Sequence, residues 1–152
     1  MTSTLVVSLG STVMSDDAIG HFILDELQKK DIQADFIKLD TDIFKLRLYF
    51  KGHKQVIIID ALTGEFPVGT IFSLKSKDID KKLSATIRSA HRIGSIEALK
   101  IMQADDKELA EAEIIFYGIV VKQIDKGLTL SPEVQKILPE AVDILYKMLV
   151  KN

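Results

Sequence analysis

Residues 55–60 read Q-V-I-I-I-D, four β-branched residues in succession closed by a carboxylate. An apolar run without polar alternation belongs to a strand covered on both faces, as in a parallel sheet. Leu5 to Leu9 is a shorter run of the same kind, closed by Gly10. Ala34 to Leu39 and Ile114 to Val121 read as further strands. Between the first two strands, Ser15 reads as an N-cap with Asp16 and Asp17 in the first turn, where acids complement the helix dipole. Ile19, Phe22, Ile23 and Leu27 follow at helical spacing, carrying that helix to about Lys30.

Thr41 to Phe50 reads as a second helix, ended near Gly52. The stretch T-G-E-F-P-V-G, residues 63–69, is a loop by its Gly and Pro content. Thr70 to Leu74 then returns as a strand, and so short a connection points to an antiparallel direction. Lys75 to Lys82 is polar and surface-like, and Ile96 to Met102 is a helix. Ser131-Pro132-Glu133 opens a final helix, whose apolar stripe is Val134, Ile137, Leu138, Ala141, Leu145 and Met148.

Strands alternating with helices imply one α/β domain over residues 1–152: a three-layer fold whose mainly parallel, twisted sheet of about five strands carries helices on both faces. Right-handed crossovers allow a doubly wound order such as 2-1-3-4-5. Ligands in such sheets bind past the carboxyl ends of the strands, at the switch between the first and third. The residues to inspect are therefore those after Gly10 and those around Asp60.

Composition narrows the chemistry. With 47% hydrophobic and 28% charged residues, the 152-residue chain can bury a core of its own, roughly two-thirds of its unfolded surface. The absence of cysteine excludes thiol nucleophiles, Cys-ligated metals and disulfides, and suits a reducing cytoplasm. A net charge of −2 with mixed signs argues against nucleic acid as a partner. Met1 to Leu9 lacks a basic region and is too short for a signal peptide, and no apolar stretch approaches a membrane span of roughly 20 residues. A soluble cytoplasmic monomer is the expectation.

The candidate residues follow from these positions. Acids such as Asp16 and Asp17 can simply stabilise a first helical turn, by about 0.3–1 kcal/mol each. The loop G-S-T-V-M-S-D-D, residues 10–17, lacks the G-K-[ST] ending of a phosphate loop. Asp60 is costly to bury at the end of a central strand unless it faces a cleft, a partner or a metal; the ordinary alternative is an acid capping a turn. Three histidines are present: His21 on the first helix, His53 in K-G-H-K, and His91 in R-S-A-H-R-I-G-S. Alone, His91 reads as a solvated loop residue. Combined with Asp17 and Asp60, it completes a set of two carboxylates and one imidazole suited to a divalent metal such as nickel or zinc. There is no G-x-S-x-G elbow and no H-E-x-x-H helix, so serine hydrolases and ordinary zincins are set aside.

Four ordered segments, S-L-G-S-T-V-M-S-D-D-A-I-G (8–20), I-I-I-D-A-L-T-G-E-F-P-V-G-T-I (57–71), S-A-H-R-I-G-S-I-E-A-L (89–99) and Y-G-I with L-T-L-S-P-E-V (117–119 and 128–134), carry a further signal. In them the chain resembles the hydrogenase maturation endopeptidases, which process the large subunit of nickel-iron hydrogenases. The resemblance implies a phosphorylase/hydrolase-like fold in which Asp17, Asp60 and His91 converge on a metal, with Asp17 and Asp60 as catalytic carboxylates and Asp16 as a secondary candidate. It implies an endopeptidase that recognises nickel already loaded into the precursor and removes a short C-terminal tail. The nickel then belongs to the substrate, and no permanent cofactor is expected. A carboxylate can ligate the metal or activate water, and the residues leave open which does which. The chain departs from the family at Ser11, where asparagine is common, and at Ala18, where glycine is frequent. Leu39-Asp40-Thr41-Asp42 replaces a glycine-rich turn, changing backbone freedom and charge. These two acids could touch substrate, or simply cap the next helix. The alternative is a non-catalytic metal- or precursor-binding maturation chaperone on the same fold.

Overall fold

The computed structural model describes residues 2–78, 88–89, 94–122 and 126–151. Strand β1 (Thr4–Ser8) runs through a 3₁₀ turn, Ser15–Ala18, into α1 (Ile19–Gln28) and returns as β2 (Asp35–Lys38). A second 3₁₀ segment, Ile43–Leu48, leads to β3 (Gln55–Thr63), which is followed by β4 (Ile71–Lys75) and the two-residue β5 (Arg88–Ser89). Helices α2 (Ser95–Asp105) and α3 (Lys107–Glu111) precede β6 (Glu113–Val120), and α4 (Pro132–Val150) ends the described chain.

The sheet order is β2-β1-β3-β6-β4, with β5 pairing β3 antiparallel off this path. The pairs β1–β2, β1–β3 and β3–β6 are parallel, as the apolar runs require. The expected order 2-1-3-4-5 is corrected: β4 is antiparallel, but it lies outside β6, the strand expected over Ile114 to Val121, and pairs with it. Burial explains the exchange. β6 is buried along every residue after Glu113, whereas β4 has no fully buried position. The strand with two apolar faces takes the centre, and the half-wet one takes the edge.

The two-residue period of β3 divides the core. Ile57, Ile59 and Ala61 face α1 and α4, together with Val6, Ile23, Leu27, Val134 and Leu145. Val56 and Ile58 face the other layer, with Leu46, Ile96, Leu99 and Met102. By the same alternation Asp60 points toward the α2 layer and Ser8 toward the α1 layer. On the α4 side, the Tyr117 hydroxyl donates to the Ala141 carbonyl at 2.7 Å, tying the central strand to the long helix. Gly20 lets α1 approach the sheet closely, since a Cβ there would stand 3.0 Å from the Ile59 carbonyl oxygen and 3.2 Å from that of Leu9.

Asp60 does not end its strand. β3 continues through Ala61, Leu62 and Thr63, held by β6 on one side and β5 on the other. On the β1 side, however, the last pair is Ser8 with Ile59, so Asp60 lies one residue past the end of β1. Asp60 therefore lies at the switch between the first and third strands, where this topology places a ligand crevice.

Candidate active site

The chain leaves β1 through Gly10, whose φ of +140° and nearness to Asp17 both demand glycine: a Cβ would lie 2.0 Å from the Asp17 carbonyl oxygen. The loop then turns at Ser15, which holds a left-handed φ of +50°, a conformation that costs a non-glycine residue roughly 1–2 kcal/mol. Ser15 is not the helix cap that local pattern expects. Its N–H donates to the Gly127 carbonyl at 2.9 Å and its hydroxyl to that of Thr129 at 2.8 Å. A parallel bridge between Met14 and Gly127 completes the contact. Segment 126–130, distant in sequence, therefore shapes the turn that carries the two acids.

Those acids separate. Asp16 is fully buried; its Oδ1 accepts from Ser131 N–H at 2.6 Å, and its Oδ2 accepts from the Ser131 hydroxyl at 2.8 Å and Lys122 N–H at 3.2 Å. Among the described residues, three donors support its burial. It fastens the turn to both ends of the 122–131 connection. Asp17, 2% exposed, points instead toward the start of its own loop, where Oδ2 accepts from the Ser11 N–H at 2.9 Å.

Asp60, 1% exposed, has its Oδ2 held by the Ser95 hydroxyl at 2.8 Å, at the first turn of α2. A partly positive helix N-terminus favours an anion there. The 3₁₀ turn carrying Asp17 packs against β3, so the structure brings the two carboxylate-bearing elements together near the ends of β1 and β3. His91 lies outside the described residues. Among the described residues, no group of three or more His, Asp or Glu is placed to hold a metal ion.

The other two histidines are committed elsewhere. His53 is buried beside the starts of β2 and β3, at the opposite end of the strands, with Nε2 2.7 Å from an Asp35 carboxylate oxygen and Nδ1 3.1 Å from the Phe50 carbonyl. His21, which the sequence leaves without a role, is buried on α1 with both ring nitrogens engaged. Nε2 lies 2.7 Å from the Gly10 carbonyl oxygen and Nδ1 2.6 Å from the Ser8 hydroxyl. Burial pushes its pKa below the ordinary 6.5, against the opposing effect of the Gly10 hydrogen bond. The Gly10 carbonyl can only accept, so the proton sits on Nε2 and the Ser8 hydroxyl donates to Nδ1. Its spacing of four from Asp17 is the one sequence signal that could have flagged it.

Asp40 and Asp42 serve the next 3₁₀ segment. Asp42 caps it by accepting from Phe44 N–H at 2.9 Å. Asp40 accepts from Asp42 N–H and from the Lys45 ammonium at 2.6 Å, and the lysine, foremost, holds its carboxyl below the ordinary value. A cleft of about 410 Å³ opens between this turn and the Gly10 loop, lined by Gly10, Ser11, Thr12, His21, Asp40 and Thr41 among others. Two larger clefts, of about 470 and 530 Å³, reach the start of β6 at the opposite end of the strands. They are remote from both candidate carboxylates.

The sequence matches the hydrogenase maturation protease family over residues 22–148, a span that contains Asp60 and His91 and begins beyond Asp17. It is 40% identical over 136 residues to protein FrxA of Pyrococcus furiosus, covering 90% of this chain and 97% of that one. In structure it is similar to the [NiFe] hydrogenase maturation protease HybD from Thermococcus kodakarensis, with a TM-score of 0.82 and 37% identity over 98% of this chain and 99% of the other. The hydrogenase maturating endopeptidase HybD from E. coli shares the fold at a TM-score of 0.76 and 20% identity, over 99% and 93% of the two chains. Among the described residues, no helix is long and apolar enough to cross a membrane.

Proposed function

The chain belongs to the hydrogenase maturation protease family, and from that premise we propose that it is an endopeptidase recognising nickel in the precursor of a [NiFe]-hydrogenase large subunit and removing that precursor's C-terminal tail. The observation that supports this reading is the pair of buried carboxylates, Asp17 and Asp60, carried by two elements that pack together, the Ser15–Ala18 turn and β3. Ser11 N–H and the Ser95 hydroxyl orient them.

Carboxylate oxygen and imidazole nitrogen suit a divalent metal of nickel's borderline character. The family resemblance makes His91 the imidazole that would complete the set; His21 and His53 have other partners. The nickel is part of the substrate: it reports that the precursor is loaded and brings the tail to the crevice. One of the two aspartates then takes a proton from the water that attacks the scissile carbonyl, and returns it to the leaving amine.

The test is to incubate the protein with a nickel-loaded large-subunit precursor and follow its C-terminus by mass. The wild type should shorten it, with Asp17→Ala and Asp60→Ala each slower by at least about a hundredfold. A precursor left intact, or three proteins with equal rates, would sink the reading. The chaperone alternative drew its motive from the acidic 39–42 turn, but those acids are engaged in capping and in the Lys45 pair. Tight precursor binding without tail loss would revive it.

A further inference from the structure

The hydrogen bonds around Gly10 form one continuous line. The Ser8 hydroxyl meets His21 Nδ1 at 2.6 Å, His21 Nε2 donates to the Gly10 carbonyl at 2.7 Å, and the N–H on the far side of that same peptide, from Ser11, donates to Asp17 Oδ2 at 2.9 Å. The Gly10–Ser11 peptide is thus gripped at both ends, its C=O by an imidazole and its N–H by the carboxylate. The Gly10 N–H is fixed as well, donating to the Asp40 carbonyl at 3.1 Å.

We propose that His21 is a positioning residue for Asp17, acting through the Gly10–Ser11 peptide rather than through substrate. A peptide plane is rigid, so pinning its carbonyl pins the direction of its N–H. A hydrogen bond accepted by the carbonyl also strengthens the one donated by the amide, because such chains polarise one another. Gly10 needs this restraint more than other residues do. Without a Cβ it has a broad choice of backbone conformations, and the one it holds, φ +140°, lies where side chains rarely go. The imidazole selects a single orientation of that hinge, and Asp17 inherits it. Ser8, inward-facing on β1, sets the ring by donating to Nδ1, so the reference frame is the central sheet.

The geometry of the line stands without any assignment of function, while the catalytic consequence rests on the endopeptidase reading. The experiment separates the two. Amide exchange at Ser11 and precursor cleavage are measured for wild type, His21→Leu, His21→Gln and Ser8→Ala, with thermal unfolding of each as the control for folding. Glutamine keeps a donor near the Nε2 position and leucine does not. In His21→Leu, Ser11 should exchange roughly five- to tenfold faster, as for loss of one hydrogen bond. Its kcat should fall, by up to about a hundredfold for an ångström of misplacement, with KM little changed. Glutamine should recover most of both losses, and Ser8→Ala should show a smaller loss of the same kind should the leucine variant fail to fold. Equal rates for glutamine and leucine, or a Ser11 amide indifferent to all three changes, would overturn the proposal. A wild type that cleaves nothing would remove only the endopeptidase reading, and the exchange comparison would still decide the line.

Discussion

Adjacent residues at the mouth of α1 have opposite duties. Asp16 satisfies three donors that span the start and end of the 122–131 connection, so Asp16→Ala strands two backbone N–H groups and a hydroxyl in the interior. The expected loss is about 2–4 kcal/mol, read by urea denaturation. Asp17→Ala should cost less stability and far more activity. A variant pair with the reverse pattern would show that the two acids had been given each other's roles. The sequence D-D contains no hint of this division. It is decided by Gly127, Thr129 and Ser131, which rotate the turn through contacts at 2.6–2.9 Å. For the same reason Ser15 looks like a cap and is not one: a long-range carbonyl captures its hydroxyl.

At the scale of the element, α4 contains its own test. It runs for 19 residues with Pro139 inside it, exposed, so the Gln135 carbonyl lacks its helical donor. Pro139→Ala should raise stability by about 1–3 kcal/mol, visible as a higher Tm; an unchanged or lower Tm would mean that the helix is fitted to the proline. The strands were the legible part of the chain, because unbroken β-branched runs such as 56–59 have few other uses. Their spatial order was less so. Whether β4 pairs beside β3 or beyond β6 depends on how completely each strand is buried, which becomes visible only when both layers are in place. The neighbourhoods of Asp17 and Asp60 were legible from topology alone. His21 was not, since its role arises from the backbone of Gly10 and a hydroxyl on another element.

At the scale of the whole molecule, a polar contact joins distant parts of the chain at the end of the sheet away from Asp60. His53, before β3, pairs with Asp35 at the head of β2, and Thr2 N–H adds a bond to the same carboxylate at 3.1 Å. The His53 hydrogen bond, foremost, holds the Asp35 carboxyl below its ordinary 3.8. A depressed carboxylate contributes stability that is fully present above the unfolded value and disappears as pH falls through the folded one. Wild type should therefore exceed Asp35→Asn in stability at neutral pH, with the gap closing as the pH falls below the ordinary value. A gap that stays constant in acid would assign the contact to packing instead. The partial exposure of Asp35 keeps the effect modest.

The bond from Asp16 to Ser131 spans 115 positions of chain. Closing so wide a loop costs on the order of 4 kcal/mol in entropy, so the contact forms late, after the sheet has brought its ends together. During synthesis, which proceeds from the N-terminus, Asp17 is made early but acquires its final surroundings only when residues 127–131 have emerged and docked. A nascent chain holds the acids without the geometry. The geometry of this turn thus waits on the docking of a segment distant in sequence.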